Sequence, residues 1–420
     1  MNGKKEKVVI VGGGLVGPVC ALYMAKRGYD VSLYEYRHDP RELGYIRGRS
    51  INLAASHRAR RALRDLGIED AILRVGIPMK GRFLHVPRNV LNEKLLYATK
   101  QYPNLQLFFN HKLIDVQIDK GLITFIRTDT NATVEVKADL VVGADGAHST
   151  LRKCVLQKPL FDFSQTYVNH GYVELSIAPE FGKQMEPNHL HIWPRGNFMM
   201  IALPNYDNSW TLTLFMPFEK FYALDADDKV LNFFYDTFPD SVPLIGEKQL
   251  VKDFFRIPPS ALISVKCNKY DVEDKVLLIG DAAHAIVPFY GQGMNAGFED
   301  CTIFNEILDE CNDNVPLSLK LFSTRRKNDA HAICDLALYN YVEMRDLVTR
   351  PSYKLRKFLD DFLNFILPDI WVPLYNSISF TEMNYNKCIN NRRWQDKILM
   401  GVSVLLATFI VIMSFQVVFL

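Results

Sequence analysis

Lys7-Val8-Val9-Ile10-Val11-Gly12-Gly13-Gly14-Leu15-Val16-Gly17 is the stretch on which the fold of this chain turns. Its β-branched run reads as a short buried strand, and Gly12-x-Gly14-x-x-Gly17 follows directly. Pro18 to Arg27 then reads as a helix stopped by Gly28, and Asp30 to Glu35 as a second strand with an acidic end. That spacing is the spacing of a βαβ nucleotide-binding unit. Glycines there let the backbone approach a pyrophosphate, whose charge meets the N-terminus of the helix. Glu35 is placed to accept hydrogen bonds from ribose hydroxyls. This element does not by itself separate FAD from NAD.

Two further turns follow apolar strands. Ala138 to Gly143 runs into Ala144-Asp145-Gly146-Ala147-His148-Ser149, where Asp-Gly alone is an ordinary turn. Val276 to Ile279 runs into Gly280-Asp281-Ala282-Ala283-His284, followed by Pro288-Phe289-Tyr290-Gly291-Gln292-Gly293-Met294-Asn295. An aspartate such as Asp281 at a strand end can hold a ribityl hydroxyl. A turn at Gly293, Met294 and Asn295 that opens a long helix offers backbone N–H groups and a positive dipole end to a flavin pyrimidine.

Elsewhere, Leu105–Phe109, Leu122–Arg127 and Thr133–Val136 read as strands, and alternation from Gln165 to Phe215 predicts an antiparallel sheet with one wet face. Helical patterns run from Met294 to about Leu347 and from Leu355 to Leu367. The expected class is α/β: a Rossmann-like FAD-binding domain interleaved with an antiparallel-sheet substrate domain, then C-terminal helices and a transmembrane helix. The nucleotide domain takes residues 1–80, 101–160 and 271–330, around a shortened segment at 81–100 and the substrate domain at 161–270. Residues 331–397 form a helical region and 398–420 an anchor.

Composition narrows the class. The 420 residues are 48% hydrophobic and 23% charged, ordinary values for one or two globular domains, and a net charge of +2 argues against a nucleic-acid partner. Seven dispersed cysteines without CxxC spacing suggest a reducing compartment and neither a zinc site nor a dithiol; no metal is expected. The N-terminus does not read as a signal peptide. Ile398 to Leu420 is 23 residues without a charge, matching the roughly 20 needed to span a bilayer. Arg392, Arg393, Lys397 and Trp394 precede it, so the positive-inside rule puts the body on the cytosolic side. A hydrophobic docking helix is the alternative.

The succession of GxGxxG, Asp-Gly and Gly-Asp is similar to that of the FAD-dependent aromatic hydroxylases. The runs Arg47–Ala54, His189–Pro194, Gly280–Asp300 and Tyr339–Arg345, with the C-terminal apolar segment, resemble the branch of that family acting on L-kynurenine. The resemblance covers essentially the whole chain. It implies bound FAD, with NADPH and O2 as co-substrates in hydroxylation of the L-kynurenine ring, ortho to its amine, through a flavin hydroperoxide. It also implies a seat on the mitochondrial outer membrane. The cofactor carries the difficult chemistry, so no residue is expected as a catalytic acid or base.

By the same resemblance Arg82 takes the substrate carboxylate, a task suited to a bidentate guanidinium. Asn340 and Tyr375 hydrogen-bond the amino-acid end, and Phe289 and Tyr290 line the ring side. Val16, Arg37, Ala54, Arg88 and Leu113 join Gly12, Gly14, Gly17, Glu35, Asp145, Asp281, Gly293, Met294 and Asn295 as cofactor positions. Without the resemblance Arg82 reads as a surface arginine and Asn340 as an interior amide. One departure stands out. After His85 the family carries a further segment with a substrate-binding tyrosine, and here Val86-Pro87-Arg88 follows at once. A strand or hairpin and one pocket wall are then expected to be missing. That leaves open a hydroxylase of another small aromatic acid, or a membrane-tethered flavoprotein with impaired turnover.

Overall fold

The computed structural model describes residues 6–42, 52–77, 79 and 84–418. Arg82 lies outside them, as do Arg47 to Ile51 of the quoted run. The chain divides into a large unit ending at Thr349 and a smaller one from Arg350 onward.

Six strands make the main sheet of the large unit, in the order Asp271–Val272, Val276–Leu278, Leu140–Gly143, Lys7–Val11, Asp30–Tyr34, Leu105–Phe108. All pair in parallel except the first. The register sets Ile10 beside Leu33 on one side and Val142 on the other, with Val142 beside Leu277. These side chains are fully buried, as the continuous apolar runs of a parallel sheet require. The three motif turns therefore leave the carboxyl ends of three neighbouring strands. In an open α/β sheet that edge is where ligands bind.

The helix of the first unit spans Val16–Lys26, starting two residues before the Pro18 expected from sequence. It ends in a Schellman cap: Gly28 at φ +93° donates to Ala25 O at 2.9 Å, and Tyr29 donates to Met24 O at 3.2 Å. The long helical reading from Met294 resolves into two helices, Gly293–Glu310 and Val315–Arg345. Asn312 and Asp313 adopt positive φ between them, and the Asn314 side chain caps the second helix by accepting from Leu317 N at 3.2 Å.

A five-stranded antiparallel sheet follows the order His191–Pro194, Met199–Pro204, Trp210–Pro217, Phe163–Ile177, Ser260–Cys267. One face packs on helices Asp227–Thr237 and Glu247–Arg256 through Val173, Leu212, Leu214, Phe234 and Phe254, a second core separate from that of the parallel sheet. The other face carries Ile201, Leu203, Thr211 and Thr213, which are only partly buried. A smaller sheet joins His111–Gln117, Leu122–Arg127 and Thr133–Lys137, and Asn52–Ala55 pairs antiparallel with Leu84–Pro87.

The smaller unit contains helices Pro351–Ile366, Leu374–Phe380 and Tyr385–Val418. The last begins well before Ile398, so the apolar segment continues a longer helix. Within Tyr385–Ser414 the most apolar 18-residue window reaches a mean hydropathy of 2.2, and the residues from Gly401 to Ser414 are all exposed.

Candidate active site

The three turns touch. A methyl group built on Gly12 would sit 2.4 Å from the Ala144 carbonyl oxygen and 2.9 Å from Asp145 Cα, so the first turn can pass the second only as glycine. On the other side Val16 packs against Gly280 and Gly297, its methyl 2.5 Å from where a Cβ at Gly297 would stand. Residues far apart in sequence thus meet at one sheet edge.

Gly14 behaves differently. Among the described residues nothing lies within 4 Å of a Cβ built there. Protein packing therefore does not explain a glycine at this position, whereas close approach of a pyrophosphate does. Glu35, 6% exposed, accepts from Gly13 N at 2.7 Å through one oxygen and from Arg37 N at 3.0 Å through the other. Each oxygen keeps a lone pair for a ribose hydroxyl. Asn92 donates to the carbonyls of Gly13 and Gly14, holding the turn from the side of helix Arg88–Ala98.

Asp281 stands in a recess where protein atoms crowd around a carboxylate still open on one side. Desolvation pushes its pKa up, and Arg88 and His284 partly offset the rise. It faces Gly293, with one oxygen 3.9 Å from the Cβ position there. Helix Gly293–Glu310 makes its first backbone bond from Ala296 N to Gln292 O at 2.8 Å, so the N–H groups of Gly293, Met294 and Asn295 precede it and face out of the helix end. The Asn295 side chain is fully buried. It donates to Ala54 O at 2.8 Å and Gly291 O at 2.7 Å, and accepts from Ser56 N at 2.7 Å. It therefore sews strand Asn52–Ala55 to the Pro288–Gly291 turn. Asp145 caps helix Thr150–Val155, one oxygen accepting from Thr150 N at 2.7 Å and Leu151 N at 3.1 Å; desolvation raises its pKa. Leu113 is buried in the core, and Arg37 is mostly exposed beside Tyr36.

Beneath the Gly280 turn lies a buried network whose roles no local sequence signal announced. Asp300 accepts from Gly280 N at 2.8 Å, His284 Nε2 at 2.6 Å and Arg326 Nε at 2.7 Å, and all three side chains are at most 1% exposed. Burial alone would raise the Asp300 pKa, but His284 and Arg326 outweigh it and hold the carboxyl below its ordinary value. Arg326 also reaches Asp329 at 2.9 Å and Ala296 O at 3.1 Å.

Between the partly buried sheet face and the Pro288–Gly291 turn is a recess of about 730 Å³, counting the open space at its mouth. Its walls are mainly apolar: Leu190, Ile201, Leu203, Phe215, Phe289 and Met344, with Ala54 at the flavin-motif side. Thr211, Thr213, Tyr172 and His85 supply polar groups. The alternation that read as a wet face is thus the lining of a cavity. Phe289 stacks on Tyr341 at 4.0 Å and meets Phe215 edge-on at 4.9 Å. Asn340 is buried behind this wall and donates to Phe289 O at 3.0 Å. Tyr290 is buried but is not among the lining residues. Arg345 stacks over Tyr341 and donates to Asn197 O at 3.0 Å, so the Tyr339–Arg345 run clamps the sheet hairpin to the turn. Tyr375 belongs to the smaller unit, on helix Leu374–Phe380, edge-on to Phe380 at 5.9 Å.

The FAD binding domain family matches residues 81–335, and an NAD(P)-binding Rossmann-like family matches residues 10–45. Kynurenine 3-monooxygenase of Anopheles gambiae is 52% identical, covering 94% of this chain and 86% of its own length. The Sus scrofa enzyme of the same name is 44% identical, covering 94% and 88%. The Anopheles alignment runs over 418 positions yet takes up 94% of this chain, so it includes positions this chain lacks. Among solved structures, 2-methyl-3-hydroxypyridine-5-carboxylic acid oxygenase superposes with a TM-score of 0.65 at 20% identity, over 84% of this chain and 95% of its own. Pseudomonas aeruginosa PqsL in complex with 2-aminobenzoylacetate gives 0.66 at 18%, over 82% and 97%. These two share the fold.

Proposed function

The chain belongs to the kynurenine 3-monooxygenase family of FAD-dependent monooxygenases, and from that premise we propose that it converts L-kynurenine to 3-hydroxy-L-kynurenine in tryptophan catabolism. The balance is L-kynurenine, NADPH, a proton and O2 giving the hydroxylated product, NADP+ and water. The observation that carries the reading is the position of the 730 Å³ recess, between the Thr211–Thr213 face and the turn that leads from Asp281 to helix Gly293–Glu310. Bound FAD supplies hydride acceptance from NADPH and the activation of O2.

The protein's own residues then hold, orient and dry. Gly12, Gly14 and the helix Val16–Lys26 take the pyrophosphate, and Glu35 the adenosine ribose. Asp281 takes the ribityl chain, aided by Arg88, while the N–H groups of Gly293 to Asn295 face the pyrimidine edge and favour negative charge there. Phe289, backed by Tyr341 and Phe215, gives the aromatic ring a flat apolar wall and excludes water from the reacting face. Arg82, outside the described residues, is assigned to the substrate carboxylate. The apolar helix anchors the chain, with the catalytic body on the cytosolic side of the outer mitochondrial membrane.

Incubating FAD-loaded protein with NADPH and kynurenine is expected to yield 3-hydroxykynurenine. NADPH oxidation that returns only hydrogen peroxide would overturn this assignment and favour a flavoprotein crippled by the segment missing after His85. Thr213→Trp fills the recess without touching the nucleotide turns. It is expected to raise the KM for kynurenine on the order of 10-fold, the effect of roughly 1–3 kcal/mol of overpacking, while flavin absorbance stays unchanged.

A further inference from the structure

Helix Pro351–Ile366 is built inside out. Its one buried residue is a carboxylate, Asp360, while Leu355, Phe358, Phe362, Phe365 and Ile366 are 51–87% exposed. At about 100° per residue these five fall in one stripe roughly 100° wide, and Asp360 lies on the opposite side of the helix. A soluble helix buries its apolar stripe; this one exposes the stripe and buries a carboxylate.

The buried side has its partners within the same unit. Asp360 accepts from Trp371 Nε1 at 2.8 Å, from Arg356 Nε at 2.9 Å and from Arg392 at 3.1 Å, and Arg356 pairs with Asp396. Arg392 and Asp396 belong to helix Tyr385–Val418, immediately before its uncharged stretch. The ion pairs therefore fix the inverted helix at the level where the apolar segment begins. There the half-exposed Trp394 packs on the buried Trp371 at 5.7 Å between ring centroids, and an exposed tryptophan favours the boundary between headgroups and hydrocarbon. From Arg350 to Lys397 eight basic residues stand against five acidic ones, and Lys354 and Lys357 on the helix itself are exposed. An exposed apolar stripe with a basic surround, tied to the start of a spanning segment, matches the chemistry of an anionic phospholipid surface.

We propose that Pro351–Ile366 is a second membrane contact: an interfacial helix lying in the headgroup region beside the anchor, its Phe358–Phe365 face toward the acyl chains. This rests on the reading of the C-terminal helix as an anchor. The two are separated by tryptophan fluorescence on the full FAD-loaded chain, reconstituted into phosphatidylcholine–phosphatidylglycerol vesicles. Phe365→Trp reports on the interfacial helix and Leu405→Trp on the span, each read as emission added to that of the unsubstituted protein. Retained flavin absorbance shows that both variants fold.

Lipids brominated near the headgroup end of the acyl chains are expected to quench the tryptophan at 365. Lipids brominated at mid-chain are expected to quench the one at 405. Quenching at 365 without quenching at 405 supports the surface helix and removes the span. Quenching at 405 with none at 365 overturns the surface helix and means that a second copy or a soluble protein covers the stripe. Quenching at 365 by mid-chain bromines alone overturns the interfacial depth.

Discussion

Asp300→Ala is expected to lower unfolding stability by about 3–5 kcal/mol, the range for removing one partner of a buried ion pair, and to release FAD from the folded protein. The carboxylate takes three donors from three places: the Gly280 backbone, His284 and Arg326. Without it the Arg326 guanidinium keeps Asp329 but loses its innermost partner, and Gly280 N is left facing a cavity. Since Gly280 leads directly into Asp281, loosening this turn displaces the carboxylate assigned to the ribityl chain. Urea unfolding and flavin absorbance after gel filtration measure the two effects separately. A variant as stable as the parent and fully yellow would show the network to be incidental.

The same group sets an acid limit. Asp300 is held below its ordinary pKa in the folded state, so it binds its proton more weakly there than in the unfolded chain. Its stabilisation is therefore complete above the unfolded value of about 3.9 and is lost as pH falls through the lower folded value. Asp300→Asn should flatten the stability profile in that acid window and leave its shape at neutral pH unchanged.

What could be read from sequence was what is local. Each cofactor turn follows a run of β-branched or apolar residues and carries glycine or aspartate at fixed offsets. The parallel-sheet rule then says that their carboxyl ends share one edge. The Gly12–Ala144 and Val16–Gly280 contacts are that rule realised. The buried network was illegible for the opposite reason. Arg326 sits in Arg325-Arg326-Lys327, which reads as a solvated helix face, and only the packing of helix Val315–Arg345 on helix Gly293–Glu310 puts it inside. Helix His57–Asp65 was also silent. Its buried positions Ala59, Ala62 and Leu63 do recur at helical spacing, but four arginines crowd the same nine residues, and one of them, Arg58, is itself buried against Glu299. Thr211 and Thr213 gave a true alternation, but alternation cannot tell bulk water from the lining of a recess.

Gly14 gives the sharpest test of the cofactor assignment, because two glycines of one motif should fail in different ways. Gly17→Ala places a methyl 1.9 Å from the Gly12 carbonyl oxygen, a backbone atom that cannot swing aside, so the turn must open and the apo-protein itself should be destabilised. Gly14→Ala places a methyl where no described atom lies within 4 Å. Its apo-protein should unfold at the same urea concentration as the parent. FAD affinity should nevertheless fall by roughly 10- to 100-fold, the equivalent of one charge-assisted hydrogen bond of about 1.5–3 kcal/mol between turn and pyrophosphate. Titrating FAD into deflavinated protein, followed by flavin fluorescence, measures this directly. An unchanged affinity in a stable Gly14→Ala protein would mean that the open space above Gly14 holds no phosphate, and the strand-end edge would lose its claim to the nucleotide.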